Sequence, residues 1–251
     1  MEVQRTRALV LKTSDHGEAD KILTFFSDTL GKVTGIAKGA KRSKKRFVNK
    51  LEPFSRLTIY YKPSRAGTLL FISEAELDAA FLVLRQSYPC YCTSAYLCEL
   101  VLRFTKERDA EKNLYDVLNW AMTALENGER PLKVAALFHI RLLDITGYRP
   151  EIDQCGGCGN PLMPRELYSF APNTGTLLCT QCQPGYQNPA NALTVQTLKF
   201  LERAQGLNLE RLSRLQIPDK GAKVTLQALY RFSCSLLQQD IHSWKPFKAL
   251  F

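Results

Sequence analysis

Four of the eight cysteines have metal-binding spacing. Cys155 and Cys158 form one C-x-x-C pair and Cys179 and Cys182 a second, with twenty residues between the pairs. Zn²⁺ favours four tetrahedral ligands, and thiolates neutralise its charge well. The run Cys155-Gly156-Gly157-Cys158-Gly159 lets backbone amides turn towards the sulfurs. Phe170–Leu178, with Asn173–Gly175 as its turn, supplies a short hairpin between the pairs. This zinc-ribbon pattern predicts one structural Zn²⁺ held by Cys155, Cys158, Cys179 and Cys182. Two reversible disulfides or a different metal are the alternatives. Four cysteines fill every position of a tetrahedral ion, whereas a catalytic zinc keeps one open. Some 40 residues with few large apolar side chains would then depend on the ion for order.

A second cluster is cationic. Lys38, Lys41, Arg42, Lys44, Lys45 and Arg46 fall within nine residues. The net charge is +10, and residues 32–65 alone carry it, with eleven basic residues and one acid, Glu52. So local an excess makes a local field, whose natural partner is a polyanion. Nucleic acid is the expected partner, with an anionic membrane, an acidic protein or a merely solvated loop as alternatives. Neutralising six phosphates would give a log–log salt slope of roughly −4 to −5. Unpaired bases could stack on aromatic side chains, each worth about 1–3 kcal/mol. Tyr60, flanked by Arg56 and Lys62 on one strand face, is a candidate, as is Phe47. Each has a plainer reading: Tyr60 covers a barrel edge, and Phe47 anchors the loop.

Other chemistry is poorly supported. His16-Gly17-Glu18 has the H-x-E form of zinc deaminases, but Pro89-Cys90-Tyr91-Cys92 lacks their P-C-x-x-C spacing. No phosphate-cradling glycine loop of either common type is present. His139 lies in an apolar run and reads as a core residue. Cys90, Cys92, Cys98 and Cys234 read as small core hydrophobes. Four such thiols, and no export signal in Met1–Asp15, suggest a reducing cytosol. No apolar run is long enough to span a membrane.

The elements that would carry these groups follow from periodicity. Val3–Lys12, Lys21–Ser27, Lys32–Lys38, Leu57–Lys62 and Leu69–Ala75 read as strands, separated by a polar turn at Thr13–Asp20, a turn at Asp28–Gly31, the charged loop, and a turn at Pro63–Gly67. Five short strands suggest a small closed barrel. Phe25, Phe26 and Phe71 belong to its core. From Glu76 the period becomes helical: Glu76–Tyr88, Cys90–Lys106, Glu111–Glu126 and Leu132–Thr146, with Asp109 as an N-cap and Asn127-Gly128 and Gly147 as stops. Helices resume at Leu193–Gln205, capped by Thr194, then Leu209–Leu215 and Ala222–Ile241. The expected class is α+β and multidomain. An OB-fold barrel occupies 1–78 and a helical domain 79–150 and 190–251, with the ribbon embedded at 151–189.

His16-Gly17-Glu18-Ala19-Asp20-Lys21-Ile22-Leu23, then Gly31-Lys32-Val33, then Ala37-Lys38-Gly39-Ala40-Lys41-Arg42, resembles the N-terminal signature of the bacterial RecO family of DNA repair and recombination proteins. The order of barrel, helices and embedded four-cysteine ribbon is similar too, as is the tail Lys245–Phe251. The likeness covers essentially the whole chain, although some members lack the cysteines. It implies an OB-fold that binds single- and double-stranded DNA and promotes annealing, without nuclease, helicase or ATPase activity. It implies partnership with RecR, engagement of the acidic C-terminal tail of SSB by the helical domain, and help in loading RecA. It also implies a cytoplasmic, nucleoid-associated location. DNA contact is carried over to Lys38, Lys41 and Arg42; Lys44, Lys45 and Arg46 join on charge. No short motif marks the tail-binding site. The competing classes are an RNA-binding OB/zinc-ribbon module and, less well supported, a zinc hydrolase or deaminase.

Overall fold

Leu57, Ile59 and Tyr61 alternate with Arg56, Thr58, Tyr60 and Lys62, and a strand with that pattern must bury one face. In the computed structural model, which describes residues 2–62, 69–183 and 192–251, it does. Strands β1 (Gln4–His16), β2 (Asp20–Ser27), β3 (Gly31–Ala37), β4 (Arg56–Lys62) and β5 (Leu70–Ala79) close a barrel in the order β1-β2-β3-β5-β4. The β3–β5 contact is parallel; the other pairings are antiparallel. This is the five-stranded OB-type arrangement. Val10, Phe25, Leu57, Ile59 and Ile72 fill the interior, joined by Phe47 and Leu51 from the β3–β4 loop. Phe26 is also buried, while Phe71 is only half-buried. The turn expected at Pro63–Gly67 lies outside the described residues, as do residues 184–189 of the ribbon segment.

Two strands run longer than their composition suggests. β1 extends through the polar stretch Thr13–His16, because those residues pair with Asp20–Leu23 of β2 in a protruding hairpin. Only Gly17–Ala19 form the turn, and Gly17 has the positive φ (58°) it needs. β5 continues to Ala79, so the helix expected at Glu76–Tyr88 is replaced. Ala75 and Leu77 pair with Ile59 and Leu57 of β4, and this cross-strand pairing overrides the helical spacing. Only α1 (Leu82–Gln86) is helical there.

The chain divides into compact units, Met1–Glu126 and Asn127–Phe251. The first adds α1, α2 (Tyr88–Phe104) and α3 (Lys112–Glu126) to the barrel. α2 has Pro89 in its first turn, where a missing N–H costs nothing. Its C-terminal carbonyls meet Lys32 of β3. The ammonium donates to Leu102 O at 2.8 Å and to Thr105 O, and burial holds its pKa below the usual lysine value. A cation on orphan carbonyls is favourable. Beside it, a Cβ on Gly31 would lie 2.0 Å from Asp109 O, so only glycine permits this approach. Asp109 is therefore a packing contact. The side chain at the start of α3 is that of Glu111, which accepts from Asn113 N at 3.1 Å.

In the second unit, α4 (Pro131–Ile145) is buried on most sides and packs on α5 (Val195–Gly206) and α7 (Asp219–Leu237). His139 is fully buried, with Nε2 2.8 Å from Ser233 Oγ. Gly147, at φ 83°, ends the helix as expected. A four-stranded curled sheet, β6 (Glu151–Cys155), β7 (Leu167–Ala171), β8 (Thr176–Leu178) and β9 (Leu193–Thr194), runs in the order β6-β8-β7-β9. Its β7–β8 turn leans on α7: a Cβ on Gly175 would meet the Phe232 ring at 2.6 Å, and Phe170 packs edge-on against that ring. Thr194 caps α5 by accepting from Thr197 N. α6 (Leu209–Leu212) is short, and α8 (Trp244–Lys248) stacks Trp244 on Tyr230 at 4.2 Å.

Candidate nucleic-acid interface and metal centre

β6 ends on Cys155 and β8 on the residue before Cys179, so the strand pair delivers one cysteine of each C-x-x-C to a common point. Gly159, at positive φ, turns the first knuckle, and its N–H donates to Cys155 O at 2.8 Å. In the second knuckle Cys182 N donates to Cys179 O at 3.1 Å. The four Sγ atoms lie within 4.8 Å of one another. Cys158 Sγ and Cys179 Sγ are 3.9 Å apart. Tetrahedral Zn–S bonds of about 2.3 Å place sulfurs about 3.8 Å apart, whereas a disulfide needs about 2.05 Å. The donor set therefore fits a tetrahedral, thiolate-preferring ion. A Cβ on Gly157 would sit 2.9 Å from Cys182 Sγ, so the glycine keeps the second knuckle in place. Burial raises the Cys155 thiol, but the N–H groups of Cys179, Cys158 and Gly157 outweigh it and draw the thiol down to about 6. Cys182 is driven up to about 12 by the thiols of Cys179, Cys158 and Cys155. Sulfurs this crowded resist joint ionisation unless a cation offsets their charge.

The basic loop leaves β3 at Ala37 and is held by the β1–β2 hairpin. Gly39 N donates to Asp20 Oδ1 at 2.8 Å, and Lys41 N donates to Ala19 O at 2.9 Å. A 3-10 turn spans Ala40–Arg42, and Phe47 and Leu51 plug the barrel. Phe47 is thus the loop's anchor; as a stacking platform it is excluded by burial. Lys38, Lys41, Arg42, Lys44, Lys45 and Arg46 are all exposed residues. Their charges are not equally available. Lys41 Nζ is 2.8 Å from Asp15, and Arg42 is 3.5 Å from Glu18. Arg46 donates to Ser73 O and Lys38 O and lies over the Phe47 ring. Among the described residues, the ammonium groups of Lys38, Lys44 and Lys45 have no side-chain or carbonyl partner.

The three β4 residues separate. Tyr60 is half-buried, its hydroxyl donates to Glu76 Oε1 at 3.1 Å, and Ser73 links it to the loop by donating to Tyr60 O. Lys62 is exposed at the end of the strand. Arg56 sits at the opposite end, where it donates to Asn119 Oδ1 of α3 at 2.9 Å and covers the Phe81 ring. The structure thus brings the loop cations and Tyr60 to one region and assigns Arg56 to holding α3. Lys50 is another basic residue turned inward, donating to Lys45 O, Arg46 O and Ala75 O.

One site was not anticipated. The second unit has a cavity of about 640 Å³ with Phe200, Leu215, Ile217 and Val224 among its apolar walls. Lys199, Arg203, Arg214 and Lys220 also line it, and among the described residues no carboxylate does. Arg130 secures one wall, donating to Ile217 O and Asp219 Oδ1, and buried Lys133 holds Ser213 O. The i, i+4 spacing of Lys199 and Arg203 marks one helix face as basic, but the partner wall is remote in sequence. Among the described residues, no helix is long and apolar enough to cross a membrane.

The chain is similar to known proteins along most of its length. A family model described as recombination protein O N terminal matches residues 1–81, and one described as recombination protein O C terminal matches residues 85–245. The chain is 31% identical over 245 residues to the DNA repair protein RecO of Syntrophus aciditrophicus, covering 96% of this chain and 93% of that protein. It is 32% identical over 250 residues to that of Syntrophotalea carbinolica, covering 100% and 93%. Against that of Syntrophobacter fumaroxidans it is 33% identical over 216 residues, covering 86% and 85%.

Proposed function

The chain belongs to the recombination protein O family of DNA repair proteins, and from that premise we propose that it is a non-catalytic mediator that binds and anneals DNA strands. The observation that carries this reading is the exposed trio Lys38, Lys44 and Lys45, unpartnered among the described residues, on a loop anchored in an OB-type barrel. Lys41 and Arg42 complete the loop's contact, with Tyr60 as a stacking surface; Arg46 serves by holding the loop, and Lys62, at the end of β4, lies outside that contact. Arg56 contributes only through its hold on α3. Phosphate contacts of this kind bind single and double strands without regard to sequence. The four cysteines hold a structural Zn²⁺, and a full thiolate set offers no open position for substrate.

In this reading the barrel domain, 1–78, carries nucleic acid and the helical segments 79–150 and 190–251 carry protein contacts, with the ribbon at 151–189 between them. The protein works in the cytoplasm, at the nucleoid, with RecR and SSB in helping RecA to load. The cationic, apolar-walled cavity beside α5 suits the acidic C-terminal tail of SSB: an apolar end group fills the wall of Phe200 and Ile217 while carboxylates meet Lys199, Arg203 and Arg214. An RNA-binding module is the alternative, since OB barrels serve both nucleic acids.

The test is fluorescence anisotropy with a labelled single-stranded oligonucleotide, comparing the parent with Lys38→Glu/Lys44→Glu/Lys45→Glu. Arg46 is left in place because it holds the loop. Binding should fall by at least tenfold in the variant; equal affinity defeats the reading. Competition by RNA of the same sequence separates the alternatives, because a preference resting on 2′-OH contacts favours RNA.

A further inference from the structure

The two cations at the centre of the family-like signature already face carboxylates. Lys41 Nζ lies 2.8 Å from Asp15 Oδ2 and Arg42 Nη2 lies 3.5 Å from Glu18 Oε2. Both acids belong to the β1–β2 hairpin and fall outside the basic window of the sequence. We infer that Asp15 and Glu18 compete with the phosphates of a bound strand for Lys41 and Arg42, and so limit affinity and favour release. This rests on the loop being the nucleic-acid interface.

The Asp15 and Glu18 carboxylates are not needed to dock the loop. The loop is docked instead by Lys41 N donating to the Ala19 carbonyl and Gly39 N donating to the carboxylate of Asp20, a different residue from the two at issue. The Glu18 side chain is 93% exposed and that of Asp15 64% exposed. Ion pairs in water at such positions contribute little to folding. Their placement nonetheless decides what the cations can offer a ligand. Carboxylate and phosphate present the same kind of oxygen to an ammonium or guanidinium group. A strand that takes Lys41 and Arg42 must first displace Asp15 and Glu18, which then gather counterions of their own. Net counterion release falls by up to two ions, and with it the affinity and its salt dependence. A third pair, Lys21 with Glu52 at 3.1 Å, sits beside them: Lys21 is the cross-strand neighbour of Asp15 and adds to the field that keeps the Asp15 carboxyl ionised. The arrangement suits a protein that has to pass a strand on, because the loop holds DNA by three lysines without a partner among the described residues and by Lys41 and Arg42, which carboxylates can reclaim.

The experiment compares the parent with Asp15→Asn/Glu18→Gln in oligo-dT binding across a salt series. The variant should bind roughly 3- to 10-fold tighter at low salt. Its log–log slope should be steeper by about 1.4, at about 0.7 per freed cation on a single strand. Dissociation should slow in proportion. Unchanged affinity and slope, or weaker binding, overturn the inference. Should the double variant fail to fold, Glu18→Gln alone carries the test, with a slope steeper by about 0.7. A parent that binds no oligonucleotide removes the interface reading and this inference together; a parent that binds, with variants that match it, refutes only the competition.

Discussion

Gly31→Ala is the substitution that most sharply tests how the barrel grips the helices of the first unit. Gly31 has φ 68°, and a Cβ there would lie 2.0 Å from Asp109 O and 2.4 Å from Asp109 C. The left-handed backbone costs an alanine about 1–2 kcal/mol. The clash is with main chain, not with a pliable side-chain end, so overpacking adds about 1–3 kcal/mol. Together these predict a loss of about 2–5 kcal/mol. Gly17→Ala is the matched control: its φ is 58°, yet nothing lies within 4 Å of the added Cβ, so only the backbone cost of about 1–2 kcal/mol applies. The two tryptophans, Trp120 in α3 and Trp244 in α8, divide between the units. A Trp244→Phe background therefore makes urea unfolding report on the first unit through Trp120. At a slope of about 2 kcal/mol/M, the Gly31 variant should lose about 1–2.5 M in midpoint and the Gly17 variant about 0.5–1 M. Equal shifts would refute the claim that Gly31 is dictated by the approach of Asp109.

Further outcomes follow from the second unit. Cys155→Ser or Cys179→Ser should abolish stoichiometric zinc in metal analysis and destabilise the unit reported by Trp244, while the Trp120 transition and oligonucleotide affinity stay within twofold; retained zinc would contradict the four-thiolate site. His139 is buried with its pKa drawn down to about 3 by burial, so the unfolded chain binds the extra proton between about pH 6.5 and 3. Stability supplied by the neutral ring is therefore complete above pH 6.5 and declines as pH falls, by up to about 1.4 kcal/mol per pH unit. His139→Gln should flatten that part of the urea-midpoint profile, and an unaltered profile would exclude His139 as its source. Lys199→Glu/Arg203→Glu should cost an acidic, apolar-ended peptide at least tenfold in affinity and leave oligonucleotide binding intact; a peptide that binds both proteins equally does not use the cavity beside α5.

The barrel and ribbon were legible in the sequence because local rules govern them. Alternation in Leu57–Lys62 sets which face of β4 is dry, and the C-x-x-C pairs meet because each is a tight turn at a strand end. Where tertiary pairing competes with local pattern, the reading fails. Glu76–Tyr88 carries helix-compatible apolar spacing, yet β4 captures its first residues as strand. Charge was legible as a total but not as a supply. Lys32 is spent on the end of α2, Lys50 and Arg46 on carbonyls, Arg56 on Asn119, and Asp15 and Glu18 return from outside the window to meet Lys41 and Arg42. The cavity of the second unit was invisible for a different reason: its cations come from α5 and from residues 214–220, which adjoin only after folding.

That redistribution changes the expected ion count, and the salt dependence of oligonucleotide binding by the unaltered protein is the most direct measure of it. Three lysines without a partner among the described residues, with Lys41 and Arg42 recruited from carboxylates in part or in full, give a log–log slope between about −2 and −3.5 on single strands, against the −4 to −5 expected from six independent cations. A slope in that interval supports an interface built on Lys38, Lys44 and Lys45. No binding in dilute buffer, or an affinity indifferent to salt, contradicts it.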